Sequence, residues 1–95
     1  MFAINVILTV TEEENVSKVG ELLREAGRLS RTEPGCLSYE VCHSRANPKV
    51  FLLIERWESK SAWELHRTAQ AYITIYQPQV IPLVTREPHY SDILE

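Results

Sequence analysis

A histidine, an asparagine, a glutamate and a group of aromatics are the side chains in this sequence equipped for chemistry. His66 belongs to the run Ala62, Leu65, His66, Ala69, whose spacing is helical. An imidazole titrating near about 6.5 is the natural proton acceptor or donor at neutral pH. A partly buried helical histidine bonded to a backbone group would read the same way. Asn5 is an uncharged amide inside an otherwise apolar run, on the face carrying the smaller Ala3 and Thr9. Small side chains there would leave space between sheet and helices for a ligand; a core Asn satisfied by backbone or water is the alternative. Glu55, flanked by hydrophobic residues, would be a pocket carboxylate or the partner of Arg56 or Arg86. Tyr72 and Tyr76 stand one helical turn apart and share a face. With Trp57 and Trp63 they could wall a flat aromatic ligand, or simply form core.

The elements that must position these residues follow from apolar spacing. Phe2 to Val10 alternates as a strand, with Phe2, Ile4, Val6, Leu8 and Val10 on one face and Ala3, Asn5, Ile7 and Thr9 on the other. Thr11 to Glu14 fits a capping box. It would open an amphipathic helix reaching about Arg31, with Val16, Val19, Leu22, Leu23, Ala26 and Leu29 as its stripe. Glu33-Pro34-Gly35 is a turn, Pro presetting φ and Gly supplying positive φ. Cys36 to Ser44 is a second strand, with Leu37, Tyr39, Val41 and His43 on one face. Asn47-Pro48 turns the chain back, and Val50 to Trp57 is a third. Ser59 is a plausible N-cap for the helix bearing His66. A further helical stretch spans Ala69 to Gln77, with a kink or end expected at Pro78. Leu83 to Tyr90 is a last strand, placed at an edge because Pro88 cannot donate to a ladder. The order βαββαβ is a ferredoxin-like α+β sandwich, one domain over residues 1–95.

Strands 1 and 3 are apolar on both faces, whereas a sheet with one wet face alternates. Two helices cover one face only, so a second copy is expected to cover the other. The face bearing Phe2, Ile4, Val6 and Leu8 is expected at that homodimer contact, with the Ser91–Glu95 tail reaching the partner. A net charge of −3 with scattered Lys and Arg excludes a basic nucleic-acid surface. The opening MFAINVILTV lacks the features of a signal peptide and is too short to span a membrane. Cys36 and Cys42 would share one face of a regular strand, poorly placed for a disulfide. Both are read as reduced thiols of a cytoplasmic protein. No metal-ligand spacing is present.

The ordered set Glu33-Pro34-Gly35, Leu37-x-Tyr39-Glu40, Asn47-Pro48, Glu55-x-Trp57-Glu58-Ser59 and helical His66 resembles the antibiotic biosynthesis monooxygenase family. The likeness covers nearly the whole chain, more loosely at both ends. It implies a dimeric α+β barrel. It also implies that Asn5, matching a strand-1 Asn, faces the substrate cavity and that His66 matches the family histidine. A second histidine, often found just before the aromatic that matches Tyr72, is Ala71 here. Cys42 stands where many members have His. The family's heme-degrading branch has Trp and His where this chain has His66 and Tyr76, so heme is not expected.

The activity implied is a cofactor-independent monooxygenase acting with O₂ on a small phenol, quinol or polyketide-like aromatic. His66 would be the base, Asn5 and a Tyr would hold the developing oxyanion, and Trp57, Tyr72, Tyr76 and Glu55 would bind substrate. Two alternatives remain. One is isomerisation of a small hydroxyketone phosphate, as in autoinducer-2 processing enzymes, with Lys49, Arg56, Arg67 and Arg86 as phosphate candidates. The other is a non-catalytic dimeric small-molecule-binding or stress protein.

Overall fold

Four antiparallel strands and the helical segments over one of their faces build the chain, as seen in a computed structural model describing residues 1–95. The strands are β1 (Phe2–Val10), β2 (Cys36–His43), β3 (Val50–Trp57) and β4 (Val84–Ser91). They lie in the order β2-β3-β1-β4, which is the ferredoxin-like arrangement. The helices are α1 (Val16–Ser30), α2 (Lys60–His66) and α3 (Ala71–Val80), the last wound as a π-helix. No helix is long and apolar enough to cross a membrane.

The central strands carry their largest side chains toward the helices. Ile4, Val6, Leu8 and Val10 of β1 and Phe51, Leu53 and Trp57 of β3 are all buried. Val19, Leu23 and Ala26 of α1 close over them, at the spacing that the sequence dictates. This corrects the sequence expectation for the dimer contact. The Phe2, Ile4, Val6, Leu8 face lies under the chain's own helices and has no room for a partner. The open face is the other one, where Ala3, Asn5, Ile7 and Thr9 meet Arg56, Ile54, Leu52 and Val50 in register.

Three local departures have physical causes. The capping box does not form: α1 begins at Val16 after a short 3-10 turn, and the Thr11 hydroxyl instead donates to the Leu83 carbonyl. A register shift between Cys36 and Ser38 makes β2 irregular. Cys36 then pairs with Trp57 and Cys42 with Leu52, so the two thiols lie on opposite faces, and Leu37 turns outward to solvent. Pro78 neither ends nor kinks an α-helix, because it sits inside the wider winding of α3, whose last turn closes from Ile81 N–H to the Tyr76 carbonyl.

Two readings hold at the turn and the cap. Gly35 has φ of 81°, and a Cβ there would come within 2.5 Å of Ala62 Cβ, so glycine is required twice over. Ser59 Oγ accepts from Ala62 N–H at 3.1 Å and starts α2. The turn and the cap together fix α2 against the end of β3, which sets where His66 lands.

Candidate active site

Between the sheet and α2–α3 lies a cavity of about 90 Å³. His66, the last residue of α2, forms part of its wall and is 6% exposed. Its ring lies 4.6 Å from that of Trp57, with Tyr39 and Tyr72 rings 5.9 and 5.8 Å away. Nδ1 is 2.6 Å from Glu33 Oε1. A carboxylate accepts only, so the Nδ1–H donates and Nε2 keeps its lone pair. Nε2 has no protein partner and is not sealed from solvent. Burial pushes His66 below its ordinary pKa, against the opposing pull of Glu33. The ring is therefore held neutral, oriented and with a free basic nitrogen, which is the state a general base needs.

Glu55 is the second titrating group. It points from β3 into the same cavity and is 4% exposed. Trp57 Nε1–H donates to its Oε1 at 3.0 Å, and its other oxygen takes no bond from the protein. Burial raises its pKa from 4.5 to about 7, with the Trp57 hydrogen bond and the charge of Arg86 acting the other way. Tyr39 and Tyr76 stand beside it, both phenols pushed up by burial. Arg86 Nε–H donates to the Tyr76 hydroxyl at 2.8 Å. At the deep end, Ser30 Oγ is the one buried side-chain polar atom without a hydrogen-bond partner; the Tyr39 phenol is its neighbour without a well-aligned bond. An orphaned buried hydroxyl costs about 1–3 kcal/mol, and the adjacent Tyr39 phenol is the group placed to offset it.

The outer end is aromatic and cationic. Tyr72 and Tyr76, 5.3 Å between centroids, keep their shared face on π-wound α3. Arg67 lies over Trp63 at 5.3 Å and over Tyr72 at 5.8 Å. Trp63 also meets Phe2 and Tyr90 at 5.1 and 5.4 Å. No three His, Cys, Asp or Glu side chains gather as metal ligands.

Of the residues singled out in the sequence, His66, Glu55, Tyr72 and Tyr76 come together in one cavity. Asn5 does not. It is on the open sheet face, its Nδ2–H donating to Ser91 Oγ at 3.2 Å and its Oδ1 accepting from Arg56 at 3.1 Å. The alternation of β1 that buries Ile4 and Val6 under the helices turns Asn5 away from them. Trp57 is fully buried behind His66 and Glu55 as a support, and the tryptophan in the wall is Trp63. The sequence reasoning missed Glu33 behind the histidine and Ser30 at the deep end. The first had a signal, since a turn leading into β2 beside the Ser59-capped helix brings Glu33 close to α2. The second had none, because a serine at the end of an amphipathic stripe looks like a helix terminus.

A ferredoxin-like sandwich with a polar, aromatic-walled cavity between sheet and helices defines a class of small α+β proteins. The chain belongs to the antibiotic biosynthesis monooxygenase family, whose model matches residues 1–77. Solved structures share the fold. One, assigned as an antibiotic biosynthesis monooxygenase from Nitrosomonas europaea, is 18% identical over 100% of both chains, with a TM-score of 0.88. A conserved protein of unknown function from Bacteroides thetaiotaomicron is 23% identical over 97% of this chain and 96% of its own, with a TM-score of 0.89. A third, from Deinococcus radiodurans, is also assigned to antibiotic biosynthesis monooxygenases and is 23% identical over 98% of this chain and 93% of its own, TM-score 0.83. Among curated proteins, none matches the chain.

Proposed function

We propose that this chain is a monooxygenase that uses O₂ to oxidise a single-ring phenol or quinol, without a resident cofactor. The observation that carries the reading is the His66–Glu33 pair, with His66 in the cavity wall and its Nε2 free of any protein partner. Family membership supports the reaction class. Size supports a small ring: about 90 Å³ is less than the roughly 150 Å³ that holds benzene, so even one ring needs the half-buried Tyr72 and Trp63 to give. A fused polyketide would demand far more.

His66 Nε2 takes the phenolic proton, leaving a phenolate. The electron-rich ring passes one electron to O₂, and the resulting radical and superoxide combine to form a C–O bond at a ring carbon. Tyr76, whose hydroxyl already holds the Arg86 guanidinium, gives the phenolate oxygen a polarised hydrogen-bond partner. The aromatic walls keep the phenolate in one pose and away from bulk water. The isomerase alternative gains less support. Lys49 reaches the Thr11 carbonyl and Arg56 the open face, which leaves Arg67 and Arg86, with the Glu55 carboxyl in the same wall, to meet a phosphate.

The open sheet face is proposed to take a second copy of the chain, since Ile7, Leu52 and Ile54 form an apolar strip left partly exposed by this chain. Sedimentation at micromolar concentration tests it, and a stable monomer removes it. Oxygen uptake with 1,4-dihydroxybenzene tests the activity: enzyme-dependent uptake abolished by His66→Ala is the expected result. Tight binding of the ring without uptake would make the protein a carrier instead.

A further inference from the structure

The proposed reaction has a second half that His66 does not complete. After the C–O bond forms, His66 returns the phenolic proton to the distal oxygen, so the ring carries a hydroperoxide and Nε2 is again free to accept. Loss of the ring C–H proton to His66 lets that electron pair form a new C=O, and the O–O bond breaks. The leaving oxygen departs with the O–O electron pair as hydroxide and needs a proton to become water. Phenol and O₂ thus become quinone and water, O₂ being reduced by four electrons and the ring as a whole oxidised by four.

We infer that Glu55 is the acid that supplies this proton, from the carboxyl oxygen left free by Trp57. The inference rests on the monooxygenase reading above. Its geometric basis is the deep end of the cavity. Glu55 points there from β3 with one oxygen bonded to Trp57 Nε1 and the other unbonded, and the unpartnered Ser30 hydroxyl lies in the same wall. A polar recess opposite the outer aromatic end is where the departing oxygen of a bound ring would be received.

The groups packed around Glu55 leave it as the donor. From β2 come Tyr39 and Cys36, both weakened as acids by burial. From α3 comes Tyr76, likewise raised, and from β4 Arg86, a cation that keeps its protons. From α2 comes His66, already the base, and from the turn before β2 Glu33, bonded to it. Ser30 is the contribution of α1. With its pKa at about 7, Glu55 carries a proton through the acid side of neutrality and can still release it, as buried catalytic carboxylic acids do. Two groups pushed toward each other's range from opposite ordinary values divide the work, His66 as base and Glu55 as acid.

The test uses the full chain, an oxygen electrode and 1,4-dihydroxybenzene, across about pH 5 to 9. Wild-type kcat should fall as pH rises through about 7. Glu55→Gln keeps the size and the acceptor for Trp57, so the fold should stand. It should lower kcat by about 10²–10⁴-fold, remove the alkaline limb and let a substrate-plus-O₂ hydroperoxide accumulate in acid-quenched samples. Trp57→Phe removes the N–H that favours the ionised form of Glu55 and should move the alkaline limb to higher pH, an effect no purely structural role produces. Should Trp57→Phe unfold, the hydroperoxide and the lost limb in Glu55→Gln decide alone. No enzyme-dependent uptake by wild type removes the monooxygenase reading and this inference with it. Wild-type uptake that survives Glu55→Gln within about threefold, with its alkaline limb intact, overturns the acid role and leaves the reading standing.

Discussion

The two faces of one sheet divide the labour in this protein. Under the helices, β1 and β3 present Ile4, Val6, Leu8, Leu53 and Trp57, and among them sits a single carboxyl, Glu55. On the open side the same strands present Ala3, Ile7, Leu52 and Ile54, with Asn5 and Arg56 tied to each other and to the strand end. Both faces are largely apolar with polar residues set into them, so composition alone does not separate them. What differs is enclosure. Under the helices a polar group loses water and its chemistry shifts, as Glu55 and His66 show. On the open face Asn5 and Arg56 are partly solvated and make ordinary hydrogen bonds. Polar side chains have their protonation shifted on one side and keep ordinary hydrogen bonds on the other.

The largest effect that would break this contrast is at His66. His66→Ala should lower kcat by about 10²–10⁴-fold, or roughly 3–5 kcal/mol of transition-state stabilisation. It should also cost about 1–3 kcal/mol in stability, because the ring packs on Trp57 and its removal strands Glu33. Kinetics on the folded fraction, with urea unfolding alongside, separates the two. Full activity per folded molecule would place the chemistry elsewhere.

Next comes a pair of neighbours that differ only in face. Leu53→Ala, beneath the helices, should cost about 2–5 kcal/mol, while Leu52→Ala, on the open side, should cost under about 1 kcal/mol in a dilute monomer. If a second copy covers the open face, the Leu52→Ala cost should grow with protein concentration. Equal costs at every concentration would mean the two faces are equally enclosed.

Much of this was legible beforehand, for reasons that can be named. The bounds of β3, the stripe of α1, the Ser59 cap and the positive φ of Gly35 rest on local rules and held. The orientation of β1 did not follow, because both of its alternations are apolar and period two does not say which faces the helices. Small residues were expected to make the cavity. Instead the larger set packs inward, and the space is one that Trp63, Tyr72 and Tyr76 line from α2 and α3. Hence Asn5, read as a cavity amide, is on the far side. The π-winding of α3 was equally hidden, since Pro78 signals a break in an α-helix and says nothing of a wider one.

Stability against pH should sharpen the contrast in the helix-covered half. Glu55 has its folded pKa raised from 4.5 to about 7, so the folded state binds its proton more tightly than the unfolded chain does. Its contribution is fully present below about 4.5 and is lost as pH rises through about 7, roughly 3 kcal/mol in all. His66, with its folded pKa lowered, acts in the opposite sense: stability falls as pH drops below its ordinary value. Urea midpoints from pH 4 to 8 should therefore carry a Glu55 decline toward the alkaline end in wild type, opposed by His66, and Glu55→Gln should lose that decline and keep only the rise with pH due to His66. A decline that persists in Glu55→Gln would assign it to another group.

The smallest effect is the most diagnostic for the open face. Asn5→Ala removes an acceptor for Arg56 and a donor to Ser91 Oγ. Arg56 keeps its bond to the Glu55 carbonyl at 2.8 Å, and Ser91 keeps the His89 carbonyl at 3.0 Å, so neither is stranded. Each site is also partly open to water, which replaces what is lost. The cost should be about 0.5–1.5 kcal/mol, the net worth of a hydrogen bond with solvated partners. Activity per folded molecule should change less than about threefold, since an oxyanion donor would have cost 10²–10³. A large loss of kcat with unchanged stability would mean that Asn5 reaches substrate after all. That would require the open face to enclose a ligand once a second copy covers it, and the rate should then depend on protein concentration as the dimer does.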